Sequence, residues 1–313
     1  MQKVQCPANI RIGTRKSRLA VAQATEVKNR LLGAFPELTQ EQIILIKMDT
    51  TGDKIQDRNL SEIGGKGLFT REIEESLFSG AIDIAVHSMK DMPDALPDGL
   101  IIDCILERED PRDALISFKS PSIEDLPHEA VIGTSSARRA SQLLQYRPDL
   151  KIVPFRGNVQ TRLKKLEGGE VDATLLAVAG LKRLDVEGVI TQKIETDVML
   201  PAVSQGAIGV ECVADNKHIR DILAMISHPE SVARIAAERG FLMELGGSCA
   251  TPIAALANLD KSKKHVHMKG LVASLDGNKF YRVERSGLVE DADALGRDAG
   301  KEVLRNAPDL LVH

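Results

Sequence analysis

The chain has 313 residues, of which 43% are hydrophobic and 27% charged, and its formal net charge is −4 at pH 7. This length predicts about two to three domains with room for real cores. The slight acidity argues against a nucleic-acid-binding protein, which normally carries a basic surface. Aromatic residues make up 3% and tryptophan is absent, so binding of single-stranded nucleic acid by stacking its bases on aromatic side chains is disfavoured as well.

The four cysteines are scattered along the chain and form no C-x-x-C pair. This pattern favours a reducing compartment and gives neither a zinc site nor a disulfide framework. The first ten residues lack the apolar core of a signal peptide, and no apolar run is long enough to span a membrane. We therefore expect a cytoplasmic protein that binds neither membrane nor nucleic acid.

Two segments of the chain repeat each other. Ile12–Thr14 leads into a basic run and a helical pattern, and Ile132–Thr134 does the same. Further on, Gly80–Asp83 matches Gly169–Asp172. The sequence therefore predicts two related α/β units, each with basic residues where a strand turns into a helix.

In the first unit the residue pattern predicts strands near 10–13, 43–48 and 82–86. Ala20, Ala24, Val27 and Leu31 recur at helical spacing and predict the buried face of a helix after the first strand. Residues 49–67 are polar and interrupted by glycine, which is typical of a binding loop or lid.

The second unit repeats this plan after a charged crossing at 107–113. Strands are predicted near 131–133, 151–154 and 171–177, with helices between them, and 200–206 is predicted to cross back. Residues 207–212 would then add a strand to the first sheet. A helix near 230–245, three strands (253–259, 265–274 and 279–284) and a helix near 291–306 complete the chain.

Basic and hydroxyl side chains gather at the predicted turns, where helix N-termini and guanidinium groups bind carboxylate or phosphate. Taken singly, each could be a solvated surface residue, but their recurrence in two units favours a site for a polyanion. They are Arg15, Ser17, Arg138, Arg139, Arg156, Arg162 and Arg183.

Other residues leave their alternatives open. The loop Gly64–Gly67 lacks the Lys-Ser/Thr pair of a nucleotide-binding loop and reads as a hinge from which Lys66 could reach a ligand. Asp91 follows an apolar strand and could stabilise a cation or simply cap a turn. Cys249 lies on a loop of small residues, either reactive or buried. His265 and His267 alternate on a strand, but two ligands do not make a metal site, so no metal is predicted.

Taken together, these segments resemble the porphobilinogen deaminase family from about residue 10 to the last helix. The shared blocks are RIGTRKSRLA, GGKGLF, DIAVHSMKDMP, EREDPRDA, IGTSSARR, RGNVQTRL, LAVAGLKRL, LPAVSQGAIG and the C-x-x-P-I that begins at Cys249. The resemblance implies a transferase that joins four porphobilinogen molecules head to tail into linear hydroxymethylbilane and releases an ammonia from each.

The resemblance also implies residue roles. A dipyrromethane cofactor would be fixed to Cys249 through a thioether and bound by Lys66, Ser136, Arg138, Arg139 and Asp91. Asp91 would be the catalytic residue, stabilising the cationic azafulvene left when ammonia departs. The substrate would be bound by Arg15, Ser17, Arg156, Arg162 and Arg183.

The resemblance implies a fold as well: two related doubly wound α/β domains resembling type II periplasmic binding proteins, plus a small α+β C-terminal domain. We predict domain 1 over 1–106 and 207–226, domain 2 over 107–206 and domain 3 over 227–313. We expect a monomer that hands its product to the next enzyme of the pathway.

Two positions depart from the family pattern. Many members carry a lysine where this chain has Glu62, so that contact is not transferred. Ser248 replaces the usual glycine before the cofactor cysteine and would add strain if that position needs a positive φ.

Two other functions stay open on the residues alone: a non-enzymatic solute-binding protein, and a phosphate-ester enzyme that uses the glycine loop.

Overall fold

The computed structural model describes residues 9–54, 70–246 and 251–311, without the side chains of residues 53 and 54. The chain divides into two compact units. The first comprises Met1–Arg108 and Ala207–Val232, and the second comprises Glu109–Gly206 and Ala233–His313. The predicted division into three domains stays a prediction.

The helices and strands follow one another in an α/β pattern up to β10 and in an α+β pattern after it. In chain order they are β1 (Ile10–Arg15), α1 (Arg18–Ala34), β2 (Ile43–Met48), α2 (Thr51–Lys54), α3 (Arg71–Phe78), β3 (Ile84–Ser88), β4 (Leu100–Ile105), β5 (Asp113–Ile116), β6 (Val131–Gly133), α4 (Ala137–Tyr146), β7 (Lys151–Val153), α5 (Val159–Glu167), β8 (Ala173–Ala177), α6 (Val178–Arg183), β9 (Gln192–Lys193), β10 (Ile208–Val213), α7 (Lys217–Ala224), α8 (Pro229–Leu245), β11 (Ile253–Leu259), β12 (His265–Ala273), β13 (Phe280–Leu288) and α9 (Ala292–Asn306).

The first unit contains a five-stranded sheet in the order β2-β1-β3-β10-β4. β1 runs parallel to β2 and β3, and β10 runs antiparallel to β3 and β4. The predicted helix face is confirmed, since Ala24, Val27 and Leu31 of α1 are fully buried in a core with residues from β1, β3 and β10. The predicted return of the chain is confirmed too, because β10 belongs to this sheet.

The second unit contains a sheet of the same topology, in the order β7-β6-β8-β5-β9. β6 runs parallel to β7 and β8, and β5 runs antiparallel to β8 and β9. Both sheets thus consist of three parallel strands, then one antiparallel strand, then an edge strand antiparallel to that one. β5 falls at the end of the segment predicted as a crossing and was missed, as were β4, β9, α6, α7 and the short helix α2 within the loop predicted over 49–67. The rest of that loop, from residue 55 on, lies outside the described residues.

Matching hydrogen bonds confirm that the two units are related. The backbone N–H of Arg11 donates to Asp83 Oδ2 at 2.7 Å, and the backbone N–H of Val131 donates to Asp172 Oδ2 at 2.9 Å. Each aspartate also donates its own N–H to the carbonyl of the residue whose N–H it accepts. In both units, therefore, the aspartate of the repeated Gly-x-x-Asp segment fixes the start of a strand against its parallel neighbour, β3 against β1 and β8 against β6.

The carboxyl-terminal part of the second unit is a three-stranded antiparallel sheet, β11-β12-β13, packed with α8 and α9. Its predicted helices and strands are confirmed, and α8 begins at Pro229, a residue that suits the first turn of a helix. Within the part of the chain that the structure describes, no helix is long and apolar enough to cross a membrane.

Candidate active site and anion-binding cluster

A pocket in the first unit opens where β1 and β3 end. Its walls include Arg15, Ser17, His87, Ser88 and Asp91. In parallel sheets the carboxyl ends of neighbouring strands lie at one edge, which is where such folds bind ligands. The structure thus brings three of the predicted site residues, Arg15, Ser17 and Asp91, into one cavity.

Local structure explains how each of these side chains reaches the pocket. Arg15 is the last residue of β1. Ser17 is the N-cap of α1, and its Oγ accepts the backbone N–H of Ala20 at 3.3 Å. Asp91 ends a short 3₁₀ turn after β3, is exposed, and therefore presents its carboxylate to solvent and to a ligand. The pocket combines a guanidinium with an accessible carboxylate.

Buried polar groups that the sequence analysis did not combine lie beside this pocket. His87 Nε2 is 2.8 Å from Glu211 Oε2, and both side chains are almost completely buried. Burial raises the pKa of the nearby Glu74, and the charge of Glu211 adds to this, while a hydrogen bond from Thr70 opposes it. In the sequence, only the presence of His87 and Glu211 within otherwise apolar strands could have indicated this buried pair.

A buried glutamine also orients the pocket wall. Gln23 Nε2 donates to Ser88 Oγ at 3.3 Å, and Gln23 is buried on the face of α1 that the sequence analysis treated as apolar. A polar residue at a buried helical position must satisfy its hydrogen bonds within the protein. That requirement was the signal for Gln23.

In the second unit, α4 begins with the predicted anion-binding residues. Ser136 is its N-cap, and Ser136 Oγ accepts the backbone N–H of Arg139 at 3.4 Å. Arg138 and Arg139 are buried, and both form ion pairs with the carboxylate of Asp113 at 2.7 Å. Asp113 was not predicted as a site residue. The roles of the two arginines toward a cofactor stay predictions.

Arg156 and Arg162 add positive charge near this pair. Arg162 is half-buried and donates through Nε to the carbonyl of Gly157 at 2.9 Å. Burial and, to a smaller extent, the charges of Arg139 and Arg156 together lower the pKa of Arg162 to about 10. A guanidinium whose charged form is disfavoured in this way is stabilised when an anion binds beside it. The cluster of Arg138, Arg139, Arg156 and Arg162, hereafter the arginine cluster, is therefore suited to carboxylates.

Arg183 is the last residue of α6, the helix that follows β8. Arg183 Nη2 donates to the carbonyl of Gly206 at 3.0 Å. Its neighbour Lys182 forms an ion pair with Glu109 at 2.7 Å. Through these two contacts the end of α6 holds Glu109 and Gly206, which lie near the two ends of the segment predicted as domain 2.

Several predicted residues lie outside the described residues, namely Lys66 with its loop Gly64–Gly67, Glu62, Ser248 and Cys249. Across residues 9–54, 70–246 and 251–311, no group of three or more His, Cys, Asp or Glu side chains could hold a metal ion.

Comparison with known proteins agrees with the site chemistry. Residues 10–221 match the family model described as "Porphobilinogen deaminase, dipyromethane cofactor binding domain", and residues 232–305 match "Porphobilinogen deaminase, C-terminal domain". The chain is 52% identical over 309 residues to porphobilinogen deaminase of Paracoccus denitrificans, covering 98% of each chain. It is 51% identical over 306 residues to chloroplastic porphobilinogen deaminase of Pisum sativum, covering 96% of this chain and 82% of the relative.

Among solved structures, a nutrient binding protein from Burkholderia cenocepacia bound to methionine is 14% identical, with a TM-score of 0.43, and the match covers 72% of this chain and 93% of that one. The two family models and the full-length relatives place the sequence without ambiguity: the chain belongs to the porphobilinogen deaminase family.

Proposed function

We propose that this chain is a hydroxymethylbilane synthase: it deaminates four porphobilinogen molecules and joins them head to tail on a covalently bound dipyrromethane primer. The observation that carries the proposal is the arginine cluster, whose positive charge exceeds what Asp113 neutralises. In a member of this family, that excess charge is matched by the carboxylates of the pyrrole rings.

The arginine cluster fits such a ligand chemically. Each porphobilinogen carries an acetate and a propionate, so a chain of rings presents many carboxylates. Guanidinium groups bind carboxylates through two parallel hydrogen bonds. Because an anion beside Arg162 would relieve the effect of Arg139 and Arg156 on its pKa, the second unit fits the dipyrromethane cofactor and the chain that grows from it.

Asp91 is the catalytic residue in this proposal. When ammonia leaves porphobilinogen, positive charge develops on the remaining pyrrole. The exposed carboxylate of Asp91 can stabilise that charge and accept a hydrogen bond from the pyrrole N–H, while Arg15 in the same pocket binds a ring carboxylate. A carboxylate beside developing positive charge lowers the activation barrier.

Cys249 is the attachment site in this proposal. The bound cofactor would supply a nucleophilic pyrrole carbon as the starting point of the chain. Cys249 itself would act once, as a thiolate that forms a stable thioether, and would not turn over. Lys66 and Ser136 complete the proposed cofactor-binding set, and Ser17, Arg156 and Arg183 the substrate-binding set.

The catalytic role is tested with Asp91→Asn and the control Asp94→Asn, three residues along the same loop. We expect Asp91→Asn to lower kcat by about 10²- to 10³-fold, as the loss of one electrostatic contact to the transition state does in other enzymes. Cofactor mass and the KM for porphobilinogen should change little, and the control should behave like the parent. If Asp91→Asn keeps a kcat within about threefold of the control, the cation-stabilising role is wrong.

The cell compartment, oligomeric state and product transfer are also proposals. Cys104 and Cys212 are free and buried, which accords with a reducing compartment, so we propose that the enzyme acts in the cytoplasm. We further propose that it works as a monomer and passes its unstable linear product to the next enzyme of the pathway. Light scattering at micromolar concentration would contradict the monomer if it gave twice the chain mass.

A further inference from the structure

Asp113 is a buried carboxylate that contacts two members of the arginine cluster. It is the first residue of β5 and is 0% exposed. Its Oδ2 lies 2.7 Å from Arg138 Nη1, and its Oδ1 accepts hydrogen bonds from Arg139 Nη2 at 2.7 Å and Nε at 3.0 Å. One acidic side chain therefore contacts both guanidinium groups directly.

Further hydrogen bonds fix the same guanidinium groups from the other side. Arg138 Nη1 donates to the carbonyl of Leu200 at 2.7 Å, and Arg139 Nη1 donates to the carbonyl of Leu175 at 2.9 Å. Gln205 Nε2 donates to Asp113 Oδ1 at 3.0 Å. The start of α4, the middle of β8 and the segment before β10 are thus joined through Asp113 and its partners.

The charge state of Asp113 follows from this geometry. Burial alone would raise the pKa of this carboxyl, but the charges and hydrogen bonds of Arg138 and Arg139 hold it well below its usual range. Asp113 is therefore an anion at neutral pH. One negative charge against two guanidinium groups leaves this group of residues positive, and Arg162 adds to the surplus.

We propose that Asp113 is a positioning residue for anion binding in the second unit. It holds Arg138 and Arg139 in one orientation and neutralises one of their two charges, so that a ligand carboxylate meets preoriented donors and a single surplus charge. The identity of that ligand, the pyrrole carboxylates, rests on the proposed function. The arrangement of Asp113, Arg138 and Arg139 is observed in the structure and does not depend on the proposed function.

Preorganisation has a measurable consequence. Arginine loses considerable side-chain freedom when it is fixed, and in the intact protein Asp113 fixes both arginines before the ligand arrives. Without the carboxylate, the two side chains must be ordered by the ligand, or they separate because their charges repel. Ligand affinity should fall more than the rate of the chemical step, which depends on Asp91 in the first unit.

The test compares Asp113→Asn with the control Asp149→Asn. Asp149 also forms a two-pronged ion pair with an arginine of the second unit, Arg147, with distances of 2.7 and 2.8 Å, but it is not part of the arginine cluster. Both variants lose an arginine–carboxylate pair, but the pair at Asp113 is fully buried and the one at Asp149 is partly exposed, so urea unfolding will measure how much stability each variant loses. Intact-protein mass gives the fraction that carries the cofactor, and steady-state kinetics give KM and kcat.

We expect the control to be loaded with cofactor and to have the parent's KM. In Asp113→Asn, only a minority of the molecules should carry the cofactor. Those that do should show a KM at least about 10-fold higher than the parent's and a kcat within about threefold of it. A loss of this size is seen when residues that hold the ligands of other binding sites are removed. If Asp113→Asn does not fold, Gln205→Met, which removes one neutral donor to the same carboxylate, should raise KM by about threefold.

The proposal is overturned if both aspartate variants load equally and their KM values agree within about twofold, or, where only Gln205→Met folds, if its KM equals the parent's. A parent enzyme that does not consume porphobilinogen would instead refute the proposed function. In that case binding of citrate, used as a polycarboxylate probe, to the parent and to both aspartate variants still tests Asp113, and equal dissociation constants would overturn its role.

Discussion

Replacing Arg162 should stabilise the cofactor-free protein while it weakens ligand binding. Burial and the neighbouring Arg139 and Arg156 lower the pKa of Arg162 to about 10 from 12.5. The folded state therefore disfavours the charged guanidinium at every pH below about 10, and this penalty disappears only as the pH rises toward 12.5. At pH 7 the full penalty is present, and Arg162→Gln removes it.

The magnitude follows from the size of this shift. Lowering the pKa of Arg162 from 12.5 to about 10 corresponds to about 3.5 kcal/mol, at about 1.4 kcal/mol for each pH unit, and solvent reaching this half-buried side chain reduces the value to about 1–2 kcal/mol. Arg162→Gln also loses the hydrogen bond from Nε to the carbonyl of Gly157, which is worth about 1 kcal/mol. The free energy of unfolding should therefore stay equal or rise by up to about 1 kcal/mol.

Arg147→Gln is the matched control, because Arg147 lies in the same unit and its ion pair with Asp149 raises its pKa. We expect this control to lose about 1–2 kcal/mol. Both are made in a Cys249→Ser background, so that neither protein carries the cofactor, and urea unfolding is measured at pH 7 without polyvalent anions. In the Cys249 background, Arg162→Gln should raise the KM for porphobilinogen. The reasoning is refuted if Arg162→Gln destabilises the protein as much as Arg147→Gln does.

Two further predictions concern stability. Glu211→Leu leaves His87 buried without its partner and should lower the free energy of unfolding in urea by about 3 kcal/mol. Adding His87→Phe should recover part of that loss. Equal losses in the single and double variants would contradict a paired interaction. Gly296→Ala places a Cβ against the carbonyl of Ala237 and 2.8 Å from the backbone nitrogen of Phe241. It should therefore lower the free energy of unfolding by about 3 kcal/mol. An unchanged unfolding midpoint would show that α8 and α9 can separate to make room for the methyl group.

The sequence predicted those elements whose hydrophobic period is strong. The apolar face of α1 and the strand β10 are examples, because their burial follows directly from local spacing. β5 was missed because its first residue, Asp113, follows a charged segment broken by proline and reads as part of a turn. Only the fold shows that this aspartate is the buried partner of two arginines.

The sequence could indicate which residues lie together where a side chain ends or follows a strand or starts a helix: Arg15, Ser17 and Asp91 line one pocket, and their roles stay predictions. Pairings across the chain were not predictable. His87 and Glu211 are separated by 124 positions, and neither residue's spacing points to the other. Such contacts depend on which strands become neighbours in the sheet.

The most direct test of the account is the intact mass of the protein, purified from cells that make porphobilinogen, alongside its Cys249→Ser variant. We predict that the parent carries the additional mass of two linked pyrrole units and gives the colour of a dipyrromethane with an acidic aldehyde reagent. The variant should show its sequence mass and no colour. A parent at its bare sequence mass that still forms hydroxymethylbilane would contradict the account.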